Sequence, residues 1–379
     1  MIVGVPKEVK PDEYRVGLLP VGVEMLKRDG HDVIIERHAG EGSGYLDELY
    51  SQQGARIVDT AAEVWAEADM IIKVKEPQPV EIPHMRENQQ VFTYFHFAAD
   101  EDLTKGCLDR GITACVYETL EGPGFNGGVT LPLLTPMSEV AGKMSIQQGA
   151  KYLERPQEGR GILLGGVPGV EPGDVLIIGG GVVGTNAAKM AAGLGANVTI
   201  MDVSLERLRY LSDVMPANVT PIYADPAAIR EYCYKADLVV GAVLVAAAKA
   251  PKLIKRDDLQ HMKPGAVIVD VAVDQGGCCE TTKATTHGKP TFIVDGVVHY
   301  CVANMPGAVG RTSTQALTNA TLPWALRIAN TGARELAEQS RWFAPAVSMD
   351  AGRLYSYPVA EAHNLDYEPA PWSHEEAMA

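Results

Sequence analysis

The sequence has no excess of positive charge, no paired cysteine motif and no apolar run long enough to cross a bilayer. Its 48 acidic against 33 basic residues leave a net charge of −15. That excludes general binding to a phosphate backbone, which needs a basic face, and fits a soluble protein kept from self-association by charge. The six cysteines (Cys107, Cys115, Cys233, Cys278, Cys279, Cys301) include no C-x-x-C pair, and two of them are adjacent. In a chain of this size they read as reduced cytoplasmic thiols. The longest apolar run, Leu238–Ala248, is eleven residues, where a membrane span needs about 20. The first residues carry charges at Lys7 and Glu8 and no apolar h-region, which predicts no signal peptide. No internal repeat of solenoid length is present.

What remains is an ordinary globular balance, 46% hydrophobic and 21% charged, over 379 residues. That length favours two domains. The first 130 residues alternate apolar strands with helical patterns. The expected strands are Ile2–Val5, Val33–Ile35, Arg56–Val58, Met70–Val74, Val91–Phe95 and Ala114–Tyr117, with helices at Val21–Arg28 and Ala61–Ala68. This rhythm predicts a parallel sheet covered on both faces. The Gly/Pro-rich stretch 121–136 reads as a domain crossing or hinge. A helix to about Leu153 follows, capped by Thr135 or Ser138. A second series runs Val175–Ile178, helix Val182–Leu194, Val198–Met201, Leu238–Val240 and Val267–Asp270, and Ile293–Val294 closes it. A helix is expected over Thr318–Asn330, and the end from Trp372 reads as a loosely held polar tail.

Gly179-Gly-Gly181-Val182-Val183-Gly184 fits G-x-G-x-x-G. Alone the pattern is weak; here it follows an all-apolar strand, opens a helix, and is joined by Asp202 at the end of the next strand, 18 residues beyond Gly184. That context predicts a dinucleotide site. Gly179 permits the tight turn, Gly181 lets a pyrophosphate approach the backbone, and Gly184 lets the helix pack closely on the strand. Helix N-terminal amides then hold the phosphate. Asp202 can accept bonds from ribose hydroxyls and repels a 2′-phosphate, so the expected cofactor is NAD rather than NADP.

Three ionisable groups lie at or just past the carboxyl ends of strands in the first series: Arg15, Lys75 and His96. In open α/β sheets ligands bind there. Two cations and a group titrating near neutrality suit an anionic keto acid. Each has a plainer reading: Arg15 and Lys75 as surface ion-pair partners, His96 as a satisfied core histidine. Asp274, before Gly276-Gly277, follows a strand of the nucleotide series; Asp270, inside the apolar strand, reads as structural.

Several blocks together resemble alanine dehydrogenases: Pro6-Lys-Glu, Arg15-Val, Val74-Lys-Glu-Pro77, Thr93-Tyr-Phe-His-Phe97, Pro136–Gly142, the Gly179–Gly184 turn, Val273-Asp-Gln-Gly-Gly277 and His299–Ala308. The similarity runs in order over about residues 1–340. It implies two Rossmann-like α/β domains with parallel sheets. The substrate domain would be 1–137 plus 311–379, around an inserted NAD-binding domain of 138–310. The resemblance also implies Arg15 and Lys75 as ligands of pyruvate or L-alanine, and His96 and Asp274 as catalytic residues. Ser138, Asp202, Arg207, Asn304 and Met305, with Val182, Val183, Val243, Leu244, Val271 and Asp274, would line the cofactor. Such enzymes are usually hexamers, with ammonia as a co-substrate and neither membrane nor nucleic acid as a partner. Departures are Ala246-Ala247 for a Pro-Gly pair, Ala224 for serine and Gly310 for proline. Arg327 and Thr331 stand where some relatives carry a metal-binding Glu and His early in the C-terminal helix, so no metal is expected.

Overall fold

The computed structural model describes residues 1–124, 128–243 and 251–372. The Ala246-Ala247 departure, Leu244 and all of the tail beyond Trp372 lie outside the described residues. The chain divides into two compact units, Met1–Met137 with Gly307–Ala379, and Ser138–Pro306.

In the first unit the described residues form a sheet in the order Arg353–Leu354, Val347–Asp350, Thr113–Val116, Gln90–Thr93, Met70–Ile72, Ile2–Val5, Asp32–Glu36, Arg56–Val58. The six strands from the chain's first part are parallel. Val347–Asp350, from the C-terminal part of the chain, pairs antiparallel with both of its neighbours and adds an antiparallel edge to the expected parallel sheet. The central strands are buried on both faces, hence their unbroken runs of Val, Ile and Phe. Helices start where side chains satisfy their first amides. Thr60 and Glu63 form a reciprocal capping box before Ala61–Glu67, and Asp100 caps Glu101–Arg110, which ends at left-handed Gly111. Around Trp65, Phe95 and Ile71 the fully buried side chains make one core.

The second unit's sheet runs Val219–Tyr223, Asn197–Asp202, Asp174–Ile178, Leu238–Gly241, Val267–Asp270, Val297–Tyr300, Thr291–Val294. Two of these strands were missed. Val219–Tyr223 contains Pro221, tolerated because the strand is an edge. Val297–Tyr300, not Ile293–Val294, is the last parallel strand; Thr291–Val294 turns back antiparallel beside it.

The helix after the Gly/Pro stretch spans Thr135–Tyr152. Ser138 therefore lies inside its first turn rather than at a cap, and Thr135 turns its hydroxyl back to the Leu131 carbonyl at 3.1 Å. The C-terminal helix is longer than expected, Gly310–Thr331, and contains Pro323. A Cβ on Gly310 would lie 2.8 Å from the Tyr14 carbonyl oxygen, which leaves no room for the more common proline. Arg327 stacks on Trp324 in the later part of that helix, 4.5 Å from the ring centre, so it and Thr331 are not early in it. Among the described residues no cluster of His, Cys, Asp or Glu could hold a metal, and no helix is long and apolar enough to cross a membrane.

Candidate functional site

In each unit the chain reverses its direction of sheet growth at one parallel switch point. In the first, the chain builds outward from Ile2–Val5 in one direction and returns to start Met70–Ile72 on its other side. Such a switch point opens a crevice beyond the strand ends. Arg15 follows the first of these strands, Lys75 lies three residues past Ile72, and His96 lies three past Thr93 on the neighbouring strand. The strands stop short of their expected ends, leaving these residues in irregular backbone.

Each of the three is held by a carboxylate that sequence reading did not single out. Arg15 is buried, 3% exposed, and donates from Nε and Nη2 to the two oxygens of Glu13 at 2.6 and 2.5 Å. Burial disfavours its charge, but the Glu13 carboxylate outweighs that and raises the Arg15 pKa above its ordinary value. Its surface-pair reading is thus wrong on burial, though right on pairing. Glu8 accepts from the backbone N–H groups of Val74 and Lys75 at 2.6 and 3.3 Å, and from buried Lys73 at 3.1 Å. Burial, partly opposed by Lys73, pushes the Glu8 pKa up. Lys73 also meets Glu81 at 2.9 Å; burial works against its charge, and the two carboxylates reverse that.

His96 has φ 54°, a left-handed conformation uncommon outside glycine. Glu118 accepts from the N–H groups of Phe95 and His96 at 3.0 and 2.5 Å, which secures the bend. The same Glu118 oxygen is 3.6 Å from His96 Nδ1. With its side chain 47% exposed, His96 is no core histidine. Tyr94 stacks on its ring at 5.9 Å and anchors its own hydroxyl on the Leu133 carbonyl at 2.5 Å. Only the three-dimensional fold could reveal Glu118, since it lies 22 residues from His96 with no motif linking them.

In the second unit the switch point falls between Asp174–Ile178 and Leu238–Gly241. Gly179 has φ 107°, and a Cβ there would lie 2.5 Å from the Ala242 carbonyl oxygen. A Cβ on Gly184 would be 1.8 Å from the Gly179 carbonyl oxygen, so the helix Val182–Gly193 could not sit as it does with any other residue. A Cβ on Gly181 would meet nothing within 4 Å. That helix has no side-chain cap and no acidic residue in its first turn. No N-cap side chain takes its leading amides, the arrangement that can accept a phosphate.

Asp202 ends the neighbouring strand and accepts from Gly180 N–H and Ser204 N–H, both at 2.8 Å, leaving lone pairs for further donors. Arg207 donates to the Gly180 carbonyl at 2.6 Å and the Thr185 hydroxyl at 2.8 Å. Its guanidinium thus stitches the glycine turn. Val243 follows the strand Leu238–Gly241, and Val271 and Asp274 occupy a short 3-10 turn, Val271–Gln275, after Val267–Asp270. Asp274 is exposed. Asn304, at φ 61°, and buried Met305 follow Val297–Tyr300. Ser138 lies one helical turn before Gly142, whose Cβ would stand 2.3 Å from the Val183 carbonyl oxygen. These residues thus gather at one end of the second sheet or beside its glycine turn. Asp270 is fully buried, its carboxylate accepting from Ala272 and Cys278 amides at 3.1 and 2.9 Å, a structural role.

This is the geometry of a Rossmann-type dinucleotide-binding unit, accompanied by a second α/β unit with a charged strand-end crevice. The chain belongs to the alanine dehydrogenase/PNT family: the family's N-terminal domain matches residues 4–141 and its C-terminal domain residues 145–357. It is 53% identical to an alanine dehydrogenase of Halomonas elongata over 98% of this chain and 99% of that one. A solved L-alanine dehydrogenase superposes with a TM-score of 0.92 at 50% identity, covering 96% of this chain and 99% of the other. A transhydrogenase from Sinorhizobium meliloti reaches 0.79 at 25% identity, covering 94% and 99%. Family and fold together imply a nicotinamide dinucleotide cofactor.

Proposed function

We propose that the chain is an NAD-dependent L-alanine dehydrogenase, interconverting L-alanine with pyruvate and ammonia. The observation that carries this reading is the carboxylate-braced set of Arg15, Lys75 and His96, which follow three adjacent strands of the first sheet. Arg15 and Lys75 bind the substrate carboxylate and polarise the keto oxygen, a demand that two cations beside an anionic keto acid meet directly. His96 carries protons to and from the substrate as carbinolamine forms and collapses to the iminium. Asp274 orients the attacking ammonia or water and stabilises the iminium's positive charge.

Gly179, Gly181, Val182, Val183 and Gly184 cradle the pyrophosphate, and Asp202 takes the ribose hydroxyls, which selects NAD over NADP. Ser138, Arg207, Val243, Val271, Asn304 and Met305 complete the cofactor's surroundings; Leu244, assigned with them, lies outside the described residues. When bound, the nicotinamide donates or accepts the hydride at the substrate's Cα. The boundaries 1–137 plus 311–379 and 138–310 then separate a substrate domain from a cofactor domain. A homohexamer in the cytoplasm completes the reading, with light scattering as the check on assembly.

The test is NADH oxidation by purified protein with pyruvate plus ammonium. Turnover that needs both supports the reading. NADH binding without such turnover points instead to a transhydrogenase-type nucleotide subunit, whose fold is shared at a TM-score of 0.79, or to a non-catalytic NAD-binding homologue.

A further inference from the structure

Asp274 stands two residues before a pair of left-handed glycines, Gly276 at φ 87° and Gly277 at φ 76°. Glycines lose the most conformational freedom on ordering, and these two bring no side chains to pack, so the loop's shape depends on the bonds made to its backbone, of which Gly276 N–H to Val273 and Gly277 N–H to Ala272 are internal to the turn. One side is held by Asp270. Its carboxylate accepts from the amides of Ala272, Cys278 and Cys279 at 3.1, 2.9 and 3.4 Å, and from the Thr282 hydroxyl at 2.5 Å.

The other side is held by Lys252. Its ammonium donates to the carbonyl oxygens of Gly276, Gly277 and Cys279 at 2.5, 2.9 and 3.1 Å. An ammonium has three protons, and here each has a carbonyl. Amides of the loop thus meet an anion and its carbonyls meet a cation, both through charge-assisted bonds. Lys252 is classed as exposed, a setting in which a lysine ordinarily samples many rotamers rather than converging on one backbone turn.

We propose that Lys252 is a positioning residue for the reaction: it fixes the Gly276–Cys279 backbone and through it the placement of Asp274. The proposal rests on Asp274 acting at the reacting centre. A misplacement of about 1 Å at such a group costs up to about 10²-fold in rate.

Lys252→Met removes the three donors and leaves the carbonyls to water. Its kcat with pyruvate, ammonium and NADH is expected to fall about 10–100-fold, while the NADH Kd, read by fluorescence, stays within roughly threefold of wild type. Amide hydrogen exchange over residues 276–279 speeds up. Lys252→Arg, still able to donate to carbonyls, recovers part of the rate. The double variant Lys252→Met/Asp274→Ala is no slower than Asp274→Ala alone, because both changes act through one carboxylate. Unchanged kcat or unchanged exchange in Lys252→Met overturns the proposal, as do losses that multiply in the double variant. If Lys252→Met does not fold, Lys252→Gln takes its place in the same comparisons. Full turnover in Asp274→Ala would instead remove the reading of Asp274, and this proposal with it. A slow Asp274→Ala beside a fast Lys252→Met would remove only the role of Lys252.

Discussion

The two units prepare their sites by different means. In Ser138–Pro306 the residues that shape the turn are consecutive: six residues, Gly179 to Gly184, carry the left-handed φ and the close helix approach, with Asp202 and Arg207 of the neighbouring elements bracing them. In the other unit most of the bracing carboxylates come from elsewhere in the chain. Lys75 depends on Glu8, 67 residues away, and His96 on Glu118, 22 residues away. Glu13 is close to Arg15 in sequence, but the pair earns its strength only by being buried together. A phosphate can be held by backbone amides, and backbone shape is a local matter. A small keto acid needs side-chain charges at fixed separations, and these require partners from several strands.

The comparison is sharpened first by removing the acid–base group. His96→Ala should lower turnover by about 10²–10⁴-fold and leave NADH binding nearly intact, read from kcat beside an NADH fluorescence titration. Near-normal turnover in a folded variant would take His96 out of the chemistry.

Next comes the buried brace. Glu13→Gln replaces the bidentate charged partner of a buried guanidinium, which should cost about 3–5 kcal/mol of stability and raise the pyruvate KM. Denaturant unfolding together with kinetics decides it. A stability change as small as that of an exposed ion pair would show that the brace is not electrostatic.

In the nucleotide unit the sharpest single change is Asp202→Ala. A 2′-phosphate within a few ångströms of that carboxylate costs about 1–4 kcal/mol at surface-like dielectric, so wild type should prefer NADH by about 10–10³-fold. The variant should weaken NADH use and improve that of NADPH, and pyruvate binding should change little. Because Asp202 also accepts from Gly180 N–H, some loosening of the turn will accompany the switch. Equal kcat/KM for both coenzymes in wild type would show that Asp202 does not face the ribose.

The smallest expected effect concerns acid stability. Burial holds the His299 imidazole below its ordinary 6.5; its Nδ1–H donates to the Val297 carbonyl, and Nε2 accepts from Thr281. The unfolded chain takes up a proton near pH 6.5 that the folded chain refuses. This group's contribution is therefore complete above about 6.5 and is lost as pH falls toward the depressed folded value. His299→Gln should flatten the fall in stability below pH 6.5, measured by thermal unfolding across a pH series.

Most of the parallel strands could be read in advance because a strand buried on both faces shows as an unbroken apolar run. The antiparallel edges could not, since Val347–Asp350 and Thr291–Val294 carry no mark of direction in their side chains. Val219–Tyr223 was hidden by Pro221, a residue that argues against a strand until one knows that it lies at an edge. The glycine turn with Asp202 was legible down to single residues, because its spacing, the strand before it and the helix after it are all written in one stretch of sequence. Arg15, Lys75 and His96 were legible as residues after strands. The adjacency of the three strands they follow, and the carboxylates Glu8, Glu13 and Glu118 that hold them, were decided by tertiary structure alone. Strand order across a sheet is set by long-range pairing, and so is the question of which buried charge meets which.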